Sequence, residues 1–77
     1  MVTITSSTNY LEIASDNTDE KFSIRKAAIS KIKIKGDKIN IYEIGTQNPV
    51  ASFELADVTS PVAGDIGALY TALIGYL

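Results

Sequence analysis

The 77-residue chain contains no cysteine and no histidine. The first absence excludes a disulfide staple. The second removes the commonest metal ligand and the usual general base near neutral pH. No apolar run approaches the ~20 residues that a membrane-spanning helix needs; the longest weakly polar stretch, Ile66 to Leu77, has 12. The first residues, Met1-Val2-Thr3-Ile4-Thr5-Ser6, lack the basic region and apolar core of a secretory signal. The expectation is therefore a chain not secreted through a signal peptide and with no membrane contact. A Gly-rich phosphate loop, a Cys/His metal cluster and a Ser-His or Cys-His pair are all missing. These absences nominate no catalytic residue, no metal and no cofactor, and the expectation is a protein that is not an enzyme.

What remains is room for one domain over residues 1–77. A chain this short buries only about 60% of the surface its unfolded form exposes, so small domains often rely on a staple. With disulfides excluded, a partner subunit is the most available one. Hydrophobic residues make up 45% and charged residues 21%, an ordinary globular balance.

The apolar pattern is that of strands followed by one helix. Thr3–Asn9 is Ser/Thr-rich and reads as a loose arm or an edge strand, with residues 1–9 a possible flexible segment. Tyr10–Ala14 alternates as a strand. The polar stretch Ser15–Glu20 is a turn-rich loop. Its oxygen side chains, Asp16, Asn17, Asp19 and Glu20, have some of the spacing of a calcium loop, but the glycine and distal glutamate are missing, so a solvated turn is expected. Phe22–Arg25 begins a second strand with Phe22 and Ile24 on one face. Between Ile29 and Ile44 two alternating runs flank Gly36-Asp37, a two-residue hairpin turn with glycine where φ must be positive. That turn pairs Lys35 with Lys38, Ile34 with Ile39, Lys33 with Asn40 and Ile32 with Ile41. The isoleucines then share one face, and the lysines, Asn40 and Tyr42 the other. Val50–Leu55 forms a further strand with Ala51, Phe53 and Leu55 inward.

A helix over about 61–77 follows, with Ser60 as cap and Pro61 at the first helical position, or with Asp65 as cap if it starts later. Ile66, Leu69, Tyr70, Leu73, Ile74 and Leu77 recur at spacings of three and four as its core stripe. The order predicts a mostly-β α+β fold: about five antiparallel strands in a curled sheet or open barrel, SH3-like or PH-like, closed by one C-terminal helix.

Two surfaces stand out. All seven basic residues (Lys21, Arg25, Lys26, Lys31, Lys33, Lys35 and Lys38) fall between positions 21 and 38, a segment with one acid, Asp37. The other eight acids lie outside it, so a net charge of −2 hides two opposite poles. The basic face of the hairpin, Lys31, Lys33, Lys35 and Lys38, admits three readings: a solvated face that discourages edge-to-edge aggregation, a phosphate contact, or a contact with an acidic face of a neighbour. Against nucleic acid, Tyr42 is the one interleaved aromatic, and the acidic remainder repels a polyanion. The second surface is the outer face of the helix, Gly67, Ala68, Thr71, Ala72, Gly75 and Tyr76, preceded by Gly64. It carries no charge after Asp65, and its rows of small residues let another backbone approach closely.

Phe53-Glu54-Leu55-Ala56-Asp57-Val58-Thr59-Ser60-Pro61, followed by a helix containing Leu69-Tyr70-x-x-Leu73 and ending Tyr76-Leu77, resembles small virion-associated structural proteins of tailed bacteriophages. The resemblance covers the C-terminal third, with the rest matched by strand pattern, and it brings no catalytic or binding residue. It implies a place in the virion, after synthesis in the host cytoplasm, as a capsid-decoration or tail or neck component. Its implied partners are copies of itself or larger virion proteins. The leading expectation is thus a non-enzymatic assembly protein. The alternatives are a nucleic-acid-binding accessory protein using the lysine face, and a small regulatory module docking one host protein through a strand edge.

Overall fold

In a computed structural model, residues 1–15 and 20–77 are described. Among these the chain forms seven strands and one α-helix. The strands are β1 (Val2–Ser6), β2 (Tyr10–Ser15), β3 (Lys21–Arg25), β4 (Ile29–Lys35), β5 (Lys38–Glu43), β6 (Ala51–Glu54) and β7 (Val58–Ser60), and the helix is α1 (Ile66–Tyr76). The expected mostly-β α+β fold with a C-terminal helix is present. The expected single curled sheet or barrel is not. The strands divide into a four-stranded sheet of order β3-β2-β1-β7 and a three-stranded sheet of order β4-β5-β6. All pairings are antiparallel except β1 with β7, which is parallel.

The chain crosses between the sheets at a 3₁₀ turn, Lys26–Ala28. The Lys26 amide donates to Asn9 O at 2.9 Å on one side, and Ile44 N donates to Ala28 O at 2.8 Å on the other. This turn satisfies backbone groups toward both sheets, so the strands cannot continue as one ladder. A second 3₁₀ turn, Leu55–Asp57, returns the chain from β6 to β7 in the first sheet.

The hairpin follows its predicted register over the four pairs nearest the turn: Lys35–Lys38, Ile34–Ile39, Lys33–Asn40 and Ile32–Ile41. Gly36 has φ +62°, and no non-glycine residue among those described has positive φ, the sign pattern of a type II′ turn. The ladder slips by one residue between Ile29 and Lys31, and there the Ser30 hydroxyl donates to Tyr42 O at 3.2 Å.

Two sequence expectations are corrected. Residues 1–9 contain no free arm or edge strand over their first part: Val2–Ser6 is an interior strand between β2 and β7, and Ile4 is fully buried. The serines and threonines that made this stretch look loose alternate with Val2 and Ile4, and one face of the strand is core. The helix starts at Ile66 and not at Pro61. Ser60 is instead the last residue of β7, in register with Thr3, and Asp65 is the cap, its Oδ1 accepting from Ala68 N at 2.7 Å. Asp65 holds the extended conformation typical of an N-cap (φ −152°, ψ 174°). Of the polar loop Ser15–Glu20, residues 16–19, with three of the four candidate calcium ligands, lie outside the described residues; the fourth, Glu20, is exposed.

The core is one cluster joining both sheets and the helix: Ile4, Leu11, Ile13 and Ile24 from the first sheet, Ile32, Ile39, Ile41, Ala51 and Phe53 from the second, and Leu69 and Leu73 from α1. The helix lies against β4 and β5. Leu69 and Leu73 are fully buried, and each such side chain contributes about 1.5–3 kcal/mol of hydrophobic stabilisation. At its far end Ser6 Oγ donates to Tyr76 O at 2.9 Å and accepts from Lys26 Nζ at 2.7 Å. This relay brings a hydroxyl and a cation to the negative end of the helix, where backbone carbonyls lack intrahelical donors.

Candidate functional site

The side chains of a strand alternate between faces, so the three-stranded sheet presents every second residue away from the core. On β4 these are Lys31, Lys33 and Lys35, on β5 Lys38, Asn40 and Tyr42, and on β6 Ser52 and Glu54. The four lysines nominated from sequence are all exposed on this face. Lys31 lies across from Tyr42, its Nζ 4.7 Å from the ring centroid, a cation–π distance. Asn40, though on the outer face, is only 8% exposed. Its Oδ1 accepts from Ser52 Oγ at 2.7 Å, which satisfies an amide oxygen that would be costly to leave bare. Beside it a groove of about 720 Å³ lies between the sheet and the loop carrying Gln47, Asn48 and Pro49. Lys35, Lys38, Asp37 and Glu54 all line it, so its charge is mixed. Charge on the face as a whole is graded: basic along β4, acidic at the end of β6.

The helix face differs in part from expectation. Gly67, Ala68, Thr71 and Gly75 are exposed, as predicted, and Ala72 is half-buried. Tyr76, however, is half-buried against the core, whereas Ile74 (43%) and Leu77 are exposed. The reason is rotational. At about 100° per residue, Tyr76 falls only about 20° short of two full turns after Leu69 and so close to the Leu69–Leu73 line, while Ile74 swings well away from it. The outward surface is therefore Gly67, Ala68, Thr71, Ile74 and Gly75, uncharged and more apolar than the sequence reading gave it. Gly64 precedes the cap and is not in the helix. The two helical glycines lie in its first and last turns, so neither sits in the interior where glycine costs most.

A third feature was not anticipated. Where β6 passes the open end of the four-stranded sheet, a cleft of about 370 Å³ is lined by Val2, Ile13, Phe22, Val50, Ala51 and Phe53, among others. Phe22 shares the inner face of β3 with Ile24, as predicted, yet is 45% exposed because it stands at this cleft. The sequence signal for it was slight: Phe22 lies on the core-facing parity of a short terminal strand.

Among the described residues no group of three or more His, Cys, Asp or Glu is arranged to hold a metal. No helix among the described residues is long and apolar enough to cross a membrane. No protein-family model, curated protein or solved structure matches the chain.

Proposed function

We propose that this protein is a non-enzymatic assembly component that works through repeated protein–protein contacts, in keeping with the resemblance to small virion proteins that decorate a capsid or occupy a tail or neck. The observation that carries this reading is the outward face of α1. Gly67, Ala68, Thr71, Ile74 and Gly75 present an uncharged surface, where a solvated helix normally bears Lys, Glu or Arg. The lysine face supplies a second, polar surface that orients an encounter with an acidic neighbour. Light scattering of the purified protein at low and high salt tests the proposal, with Thr71→Glu beside it. Defined oligomers that survive high salt and are lost in Thr71→Glu, with an unchanged circular dichroism spectrum, assign the contact to the helix. Assembly unaffected by Thr71→Glu removes the helix face from the contact.

A second reading, binding of nucleic acid by the lysine face, is favoured by one observation: four lysines share one open sheet face with Tyr42. The same geometry weakens it, since Lys31 occupies the Tyr42 ring on which a base would stack. Oligonucleotide binding that falls steeply with salt and disappears in Lys31→Glu/Lys33→Glu/Lys35→Glu would establish it.

A further inference from the structure

The three-stranded sheet has two free edges of opposite character. Among the described residues β4 and β6 each pair only with β5. The β4 edge carries Lys31, Lys33 and Lys35 outward and, between them, Ile32 and Ile34 inward. Ile34 is 37% exposed. The β6 edge carries Ser52 and Glu54 outward and Ala51 and Phe53 inward, with Asp57 just beyond. No basic residue occurs after Lys38. Beside β6 lies the cleft, rimmed also by Ser15, Glu20 and Ser52, whose most exposed apolar wall is Phe22.

We propose that these edges are the two halves of one joint: β4 of one copy adds to β6 of the next, continuing the sheet from chain to chain. The inference rests on the assembly reading and adds to it a contact separate from the helix face. Strand addition satisfies backbone donors and acceptors that an edge leaves unpaired. The side chains on both faces agree with it. On the outer face, Lys33 and Lys35 come beside Ser52 and Glu54 of the neighbour, and opposite charges on adjacent strands attract. On the inner face, Ile34 reaches toward the cleft and covers Phe22, so one contact accounts for two exposed large hydrophobic side chains.

The same lysines select the partner edge. Pairing β4 with a second β4 sets lysine against lysine and is disfavoured, so the row that blocks indiscriminate edge association permits association with an edge bearing no base. A β4-to-β6 joint uses different surfaces on the two copies. It is therefore heterologous, and it closes into a ring or runs on as a filament.

Charge exchange between the edges tests this by sedimentation velocity at low salt. Lys33→Glu/Lys35→Glu and Glu54→Lys should each weaken self-association on the order of tenfold, from the loss of attraction and gain of repulsion across the joint. Circular dichroism checks that each variant is folded. Mixing the two variants should restore association, because each then offers an edge complementary to the other. Association that persists in both variants, or that mixing fails to restore, overturns the joint. If wild-type oligomers are lost only in Thr71→Glu, this inference fails and the helix-mediated assembly reading stands. A wild-type chain that remains monomeric at every salt and concentration overturns the joint and the self-association part of the proposed function together. Oligonucleotide binding lost on lysine reversal in a chain that stays monomeric likewise overturns it.

Discussion

Asp65 fixes where the helix begins, because its carboxylate accepts from the Ala68 amide at 2.7 Å. Asp65→Ala is expected to cost about 1 kcal/mol, which for a domain of this size lowers the melting temperature by roughly 4–8 °C; thermal denaturation followed by circular dichroism measures it. Leu73 is a larger matter. It is fully buried between α1 and the sheets, and Leu73→Ala should cost about 2–5 kcal/mol through lost burial and the cavity left behind. In a domain with little stability to spare, urea titration of that variant should show a folded baseline that is shortened or gone. By contrast, the Lys21–Glu12 ion pair is long, at 3.9 Å, and both partners are well exposed. Exposed pairs of this kind contribute little, and Lys21→Ala should leave the urea midpoint within experimental scatter.

At the scale of elements, β1 and α1 are the two whose roles changed most between pattern and fold. β1 is flanked on both sides and contributes Ile4 to the core. Removing residues 1–6 should abolish cooperative unfolding, whereas an arm could be trimmed without effect; amide hydrogen exchange should likewise place the Ile4 amide among the slowest. The last turn of α1 contains Gly75, around which an added Cβ meets nothing within 4 Å. Gly75→Ala should therefore stabilise the domain by about 0.5 kcal/mol, below the interior value because the site is in the last turn, since alanine loses less backbone entropy in a helix. A raised melting temperature in the isolated chain, combined with impaired assembly, would indicate that the neighbour needs the missing methyl's space.

For the whole molecule, one core spans two sheets and a helix, so unfolding should be a single transition reported alike by near- and far-ultraviolet circular dichroism. The separation of charge into a basic stretch at 21–38 and an acidic remainder makes any association through the sheet edges sensitive to ionic strength. Raising salt from about 0.01 M to about 0.15 M shortens the screening length from roughly 30 Å to roughly 8 Å. The weight-average mass should fall over that range if the edges make the joint, and hold if the helix face does.

From Ile32 to Ile41 the hairpin is legible from the sequence, down to register and to the turn glycine, because both are local; the slip between Ile29 and Lys31 is not. A two-residue turn and a period of two leave one pairing that keeps Ile32, Ile39 and Ile41 together. The lysine face followed from the same parity, and the helix core pair Leu69 and Leu73 from spacing alone. The place of Tyr76 near Leu69 follows from helix geometry as well, whereas spacings of three and four alone put Ile74, which is exposed, in the core stripe. Tertiary structure alone decided the rest. Whether Val2–Ser6 is an arm or a strand depends on β2 and on the distant Val58–Ser60, which pair with it across the sheet. Ser60, a good cap by type, was taken by that pairing, and the cap passed to Asp65. The division into two sheets, and the cleft beside Phe22 that it leaves, arise from the crossing at Lys26–Ala28, where backbone hydrogen bonds join segments remote in sequence. Local pattern records which face of a strand or helix is apolar; which other element covers that face is set by competition among all of them for the same core.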